Sequence, residues 1–276
     1  MSYTCPLCHQ TLSRNERTFR CENNHAFDLA KEGYLNLMPV QHKRSKDPGD
    51  NKEMMQARRR FLEKDHYQPL KQRVAALISE LLINSEHRLL DIGCGEGYYT
   101  TEVSDALTQQ NANSVTYGLD ISKVAIRYAA KRYPNCHFSV ASSHRLPFAE
   151  QSLDAILRIY APCNAQELNR VIADKGIVVT VTPAGRHLYQ LRDEIYPDVR
   201  LHSEEAESIE GFALEHEEKL SYMMQLSDGD GFDLLQMTPF AWKANEELKQ
   251  RLKSATLFQC EADFMIRVYR KQQTQN

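Results

Sequence analysis

Residues 88–92 form an apolar run that breaks into Gly93-Cys94-Gly95-Glu96-Gly97, and a second apolar run downstream closes on Gly118-Leu119-Asp120. A short apolar segment ending in alternating glycines reads as a buried strand feeding a tight loop, and a chain built around it must alternate strands with helices. Glycines at 93, 95 and 97 let the backbone approach a ligand without Cβ interference and aim loop amides at it. The spacing differs from the G-x-G-x-x-G of dinucleotide sites, which seats a pyrophosphate on a helix end. A tighter loop with acidic Glu96 inside it suits a cationic ligand without phosphates. Asp120, at the end of the next strand, is placed to accept both hydrogens of a ribose diol. The implied ligand is a nucleoside lacking phosphate.

The same rhythm extends through residues 67–276. Leu70, Val74, Leu77, Ile78, Leu81 and Leu82 fall at helical spacing, predicting a helix over 67–82 that leads into the strand at 88–92. Strands are expected at 115–119, 136–140, 153–158 and 177–182, with helices at 98–107, 123–132 and 165–172. Alternation of this kind implies a parallel sheet whose strand ends gather on one edge, with the ligand outside them. Beyond Thr182 the rhythm changes to a helix at 187–196, an extended run at 215–225, a helix at 245–253 and a last strand at 262–269.

The amino-terminal stretch carries different chemistry. Cys5-Pro6-Leu7-Cys8 and Cys21-Glu22-Asn23-Asn24-His25 give C-x2-C, a spacer, then C-x3-H. Three thiolates and an imidazole from two turns complete the closed tetrahedron of structural zinc, with no open position for a reacting water. A segment of 38 residues buries too little apolar surface to fold unaided, and the metal supplies the missing free energy. His9, adjacent to Cys8, is the poorer ligand. Residues 39–66 follow as a basic linker: a turn-rich loop at 42–50, then a helix at 53–64 with Met54, Met55, Phe61 and Leu62 inward. Arg58, Arg59 and Arg60, with Lys43, Arg44, Lys46 and Lys52, form a cationic patch suited to phosphates or to solvent. The overall charge of -3 hides this segregation: residues 1–75 hold 14 Lys+Arg against 9 Asp+Glu, and the rest 20 against 28.

Seven cysteines, three of them before residue 22, fit metal binding in a reducing compartment better than a disulfide framework. No apolar run approaches a membrane span, and the polar opening Met1-Ser2-Tyr3-Thr4 lacks the layout of a secretory signal, so the expected location is cytoplasmic.

LDIGCGEG followed by GLD resembles motif I and its acidic partner in class I S-adenosylmethionine-dependent methyltransferases, which implies an α/β, Rossmann-like seven-stranded sheet. That resemblance places the methionine end and sulfonium against Gly93, Gly95 and Glu96, with Gly97 completing the loop, the ribose on Asp120, and adenine near Ala141, Ser142 and Ser143. A wider resemblance takes in the C-x2-C and C-x3-H pair, AKEGYLNLMPVQHKRSKDPGD, EMMQARRRFL, ASSHRLPF, RIYAPC and MTPFAW. It identifies the chain as a member of the rRNA large subunit methyltransferase A family, bacterial 23S ribosomal RNA guanine-N1-methyltransferases with a zinc-binding domain. The family implies zinc on Cys5, Cys8, Cys21 and His25, cofactor contacts at Tyr67, Gly95, Glu96 and His187, a homodimer, and a guanine in a hairpin loop, helix 35 of 23S RNA, as the acceptor.

In related enzymes the segment leaving the fourth strand, here Arg158-Ile159-Tyr160-Ala161-Pro162-Cys163, holds the target base. Tyr160 is therefore the candidate catalytic residue, as a stacking ring, while Cys163 and the stretch 237–242 with its single tryptophan are equally consistent with packing. Two other functions fit parts of the chain: a methyltransferase acting on a small molecule such as a quinone, and a zinc-stapled RNA-binding protein without activity. Neither uses the loop, the zinc module and the clustered arginines together.

Overall fold

The amino-terminal segment is built on three short antiparallel strands, β1 (Ser13–Asn15), β2 (Thr18–Arg20) and β3 (Ala26–Asp28). In the computed structural model, which describes residues 3–39, 51–83 and 85–273, a fourth strand, β4 (Leu35–Asn36), leaves this unit and joins the main sheet. The expected loop at 42–50, with Lys43, Arg44 and Lys46, lies outside the described residues.

Two helices precede the body, α1 (Lys52–Glu63) and α2 (Gln68–Leu81). The body then alternates β5 (Arg88–Ile92), α3 (Tyr98–Gln110), β6 (Val115–Asp120), α4 (Lys123–Arg132), β7 (His137–Val140), β8 (Leu153–Ile159), α5 (Ala165–Val171) and β9 (Ile172–Pro183). After it come α6 (Tyr189–Asp193), β10 (Phe212–Leu226), α7 (Asp230–Gln236), α8 (Glu246–Ser254) and β11 (Phe258–Lys271). The order across the sheet is β10-β11-β9-β8-β5-β6-β7-β4. Pairings from β4 to β9 are parallel, whereas β11 runs antiparallel to both β9 and β10. The seven expected strands are thus joined by an eighth, and the parallel sheet carries an antiparallel edge.

Period-two alternation splits the core between the two faces. Leu89, Leu157, Val179 and Ile266 face Val74, Ile78 and Val103 of α2 and α3. On the opposite face Leu90, Ile156 and Val178 face Leu168 of α5 and the amino-terminal unit itself, through Tyr3, Leu12 and Phe19. Tyr3 lies edge-on to Tyr117 of β6 at 5.4 Å and against Phe148 at 5.2 Å.

Three local expectations differ from the outcome. The helix expected over 187–196 shrinks to Tyr189–Asp193, because Leu188 sits at φ +53° and its amide is tied to the Glu261 carbonyl. Helix α7, only seven residues after a left-handed Gly229, was too short to show a period. Trp242 is not core: it is 77% exposed on a 3-10 turn over Pro239–Trp242, while Phe240 and Ala241 pack inward. Among the described residues no helix is long and apolar enough to cross a membrane.

Candidate active site and metal centre

The carboxyl ends of β5, β6, β7, β8 and β9 open on one edge, and the sequence-predicted residues line it. Gly93, Gly95 and Gly97 all hold positive φ, at +72°, +55° and +84°. A Cβ at Gly93 would meet the Ala161 methyl at 2.8 Å, whereas a Cβ at Gly95 would meet nothing within 4 Å. The loop is therefore closed against the Tyr160–Cys163 segment at its first glycine and open at its second, a cradle of bare backbone facing the crevice.

Asp120 organises that cradle. Its Oδ2 accepts from the Gly95 amide at 3.0 Å and its Oδ1 from the Ser122 amide at 2.7 Å. Ser122 in turn caps α4 by accepting from Ala125 N. Asp91, buried beneath the loop, accepts from the Thr100 hydroxyl at 2.6 Å; burial pushes its carboxyl up to about 7.

Glu96 does not stand free in the loop. Arg59 of α1 grips it with two bonds, at 2.7 and 2.6 Å, and stacks over the Tyr128 ring at 3.8 Å. Arg60 binds Asp233 of α7 and Arg58 donates to the Met237 carbonyl. The expected phosphate-facing arginine cluster is thus corrected in part: these guanidiniums clamp α1 across the edge of the sheet, because buried or half-buried carboxylates there need counter-charges. Loss of one partner should loosen the cradle. Arg59→Ala is expected to raise the cofactor Kd by about 5–10-fold, roughly 1–1.5 kcal/mol for a partly exposed bidentate pair. Calorimetric titration reads it, and an unchanged Kd would detach Glu96 from cofactor binding.

Tyr67 is buried, edge-on to Phe61 at 5.1 Å and Phe264 at 5.2 Å, with the His187 ring 6.4 Å away. Ser142 and Ser143 form the turn after β7: the Ser142 hydroxyl accepts from His144 N, and the Ser143 carbonyl accepts from Cys163 Sγ at 3.1 Å. Tyr160, half exposed at φ +54°, lies with its hydroxyl 3.3 Å from His187 Nε2. Sequence reasoning placed Arg59 in the cationic patch and Ala161 in the base-holding segment without their contacts to Glu96 and Gly93, and it missed Asp263, the partner of His187 Nδ1. None carries a local signal; each is far along the chain from the residue it serves.

On the opposite face of the sheet Cys5, Cys8, Cys21 and His25 converge, their ligand atoms all within 4.8 Å of one another. Cys8 and Cys21 sulfurs lie 3.6 Å apart, and His25 Nδ1 is 3.5 Å from Cys5 Sγ and 3.4 Å from Cys21 Sγ. Zinc bonds of about 2.3 Å to sulfur and 2.0 Å to nitrogen give tetrahedral edges of about 3.8 and 3.5 Å. The four residues fit zinc, and His9 is not among them.

Between this unit and the body runs a cleft of about 510 Å³ bordered by His9, His144, Arg145, Asn164, Gln166 and Arg170.

The chain matches a family model described as "RlmA, N-terminal", a zinc ribbon, over residues 3–46, and a methyltransferase domain over 83–245. The 23S rRNA (guanine(748)-N(1))-methyltransferase of Streptomyces fradiae is 31% identical over 258 residues, 90% of this chain and 89% of that protein. A Bacillus subtilis protein provisionally named as a 23S rRNA (guanine-N(1)-)-methyltransferase is 31% identical over 268 residues, 92% of this chain and 93% of its own. Among solved structures the YcgJ protein of Bacillus subtilis shares the fold, with a TM-score of 0.50 at 20% identity over 72% of this chain and 98% of that one. Similarity that runs through the metal unit, the sheet and the carboxyl-terminal strands alike leaves one assignment: this chain belongs to the family of 23S ribosomal RNA (guanine-N1)-methyltransferases.

Proposed function

We propose that the protein transfers a methyl group from S-adenosylmethionine to N1 of a guanine in the helix 35 hairpin loop of 23S ribosomal RNA, acting as a cytoplasmic homodimer. The observation that carries this reading is the 31% identity over 90% of the chain to an enzyme named for guanine 748, with the zinc ribbon included. In it Gly93, Gly95, Glu96 and Gly97 hold the methionine end, Asp120 the ribose, Ser142 and Ser143 the adenine, and Tyr67 and His187 the wall of the pocket. Zinc on Cys5, Cys8, Cys21 and His25 is structural. The folded unit it holds presents His9 to the cleft, where His144 and Arg145 of the body meet it.

Transfer from a sulfonium to a ring nitrogen is an in-line displacement, so holding N1 and the methyl carbon close and collinear carries most of the rate. N1 inside a base pair is out of reach, and extrusion costs a few kcal/mol at most for a loop guanine, which favours a hairpin target. The edge bounded by Tyr160 and Cys163 receives the base.

The test is transfer from labelled S-adenosylmethionine to undermethylated 23S RNA, with nucleosides identified by mass spectrometry. One 1-methylguanosine from one hairpin, with a KM for RNA that rises steeply with salt, is expected. Intact cofactor binding without labelled RNA would move the acceptor to a small molecule. Sedimentation equilibrium checks the dimer.

A further inference from the structure

The hydrogen bonds joining Asp263, His187 and Tyr160 have a direction. The Asp263 amide donates to His187 Nδ1 at 3.2 Å, so the proton of the neutral ring sits on Nε2. Nε2 lies 3.3 Å from the Tyr160 hydroxyl, which must therefore accept. The ring is held in place by Phe264, 4.7 Å away between centroids, and only 7% of the residue is exposed. Burial first, and then His202, depresses the His187 pKa to about 3, so it stays the neutral donor.

A phenol that accepts from His187 points its own hydrogen elsewhere. The Tyr160 residue is 49% exposed where β8 ends on the crevice, and its hydroxyl keeps that hydrogen for an acceptor other than His187. Burial of the hydroxyl, then the neighbouring Tyr99 and Tyr222 phenols, holds its pKa well above the ordinary value, which makes it a donor and not a base. The backbone is strained to make this placement, with a non-glycine residue held at φ +54°. Next to it, Ala161 abuts the spot where Gly93 lacks a side chain. Tyr160 is thus fixed between the cofactor loop and a rigid histidine.

Resting on the function proposed above, we infer that Tyr160 reads O6 of the target guanine, donating its hydroxyl hydrogen to that oxygen, with His187 as the positioning residue that sets the direction. The chemistry explains why O6 is worth holding. As the N1 lone pair forms its bond to the methyl carbon, the C–S bond breaks and its electrons stay on sulfur, leaving S-adenosylhomocysteine. The N1 proton leaves to solvent water, and any loss of it ahead of bond formation places negative charge on O6. A donor at O6 stabilises that charge as an oxyanion hole does. It also selects: adenine presents an amino group at the same place, donor against donor, whereas hypoxanthine keeps the oxygen.

The test crosses two enzymes with two RNAs, wild type and Tyr160→Phe on a hairpin carrying guanosine or 6-thioguanosine at the target. Tyr160→Phe is expected to lower kcat on guanosine about 10- to 100-fold with the KM for S-adenosylmethionine unchanged. Sulfur is the poorer acceptor, so the oxygen-to-sulfur rate ratio should shrink about tenfold from wild type to variant. Equal ratios in the two enzymes would overturn the assignment, because intrinsic differences between the bases cancel in the comparison. At saturating S-adenosylmethionine, His187→Leu should lower kcat as much as Tyr160→Phe does, and the double variant no more than either. Additive losses would remove the positioning role. The ¹⁵N shifts of His187 in the wild-type protein, protonated at Nε2 only, check the tautomer without any variant. A wild type that methylates no RNA at all would instead sink the function this inference rests on.

Discussion

Cys21→Ala is expected to strip the protein of stoichiometric zinc and to abolish methylation of RNA while S-adenosylmethionine still binds. Cys21 shares the small tetrahedron with Cys8 and His25, and with three ligands left the closed site is lost. Structural zinc contributes on the order of 10 kcal/mol to units of this size, more than three short strands supply on their own. The effect should reach beyond the amino-terminal unit. Tyr3 and Phe19 belong to the same apolar cluster as Tyr117, Phe148 and Leu90 of the body, and Leu37 N donates to the Val140 carbonyl beside β4. Releasing one buried aromatic costs about 3 kcal/mol, so Tm should fall by roughly 6–12 °C. Metal analysis, a thermal melt and calorimetry with the cofactor read the three quantities together. A zinc-free variant with unchanged Tm and unchanged turnover on RNA would show that the four residues hold no structural metal.

The second large effect concerns Asp120→Ala, for which the cofactor Kd should rise about 100-fold or more. Two charge-assisted bonds to loop amides disappear with the carboxylate, each worth about 1.5–3 kcal/mol, and any ribose contact goes with them. The Gly95 amide then has no acceptor, and the loop loses the tie that keeps its second glycine open to the crevice. Asp120→Asn retains one carbonyl oxygen and should lose about tenfold, which separates charge from geometry. Isothermal titration of both variants is the measurement. A Kd for the alanine variant within threefold of wild type would place the ribose elsewhere. The fold itself should hold, since Asp120 ends its strand and contributes nothing to the apolar clusters.

What could be read from residue order alone follows a physical division. Gly93 to Gly97, Asp120 and the four metal ligands were legible because their chemistry demands fixed residue types at short spacing: glycines where φ is positive, a carboxylate at a strand end, thiolates and an imidazole in two turns. The helix from Lys52 to Glu63 was legible too, from its apolar period, but its purpose was misjudged. Three consecutive arginines look alike in a sequence. Only the positions of Glu96, Asp233 and the Met237 carbonyl show that they clamp a helix, which leaves Lys43, Arg44 and Lys46 as basic residues of the linker outside that clamp.

The sequence by itself determined the alternating body, the glycine loop and the four-residue metal cluster, since each is a local arrangement whose cost and reward fall within a few residues of one another. Tertiary structure decided the rest: the eighth strand, the antiparallel edge, the exposed Trp242, and every pairing that gives a site residue its function. Arg59 meets Glu96 across 37 positions, and Asp263 meets His187 across 76. Such contacts form because the sheet brings distant strand ends to one edge, and there burial decides which charges and hydrogens must find partners.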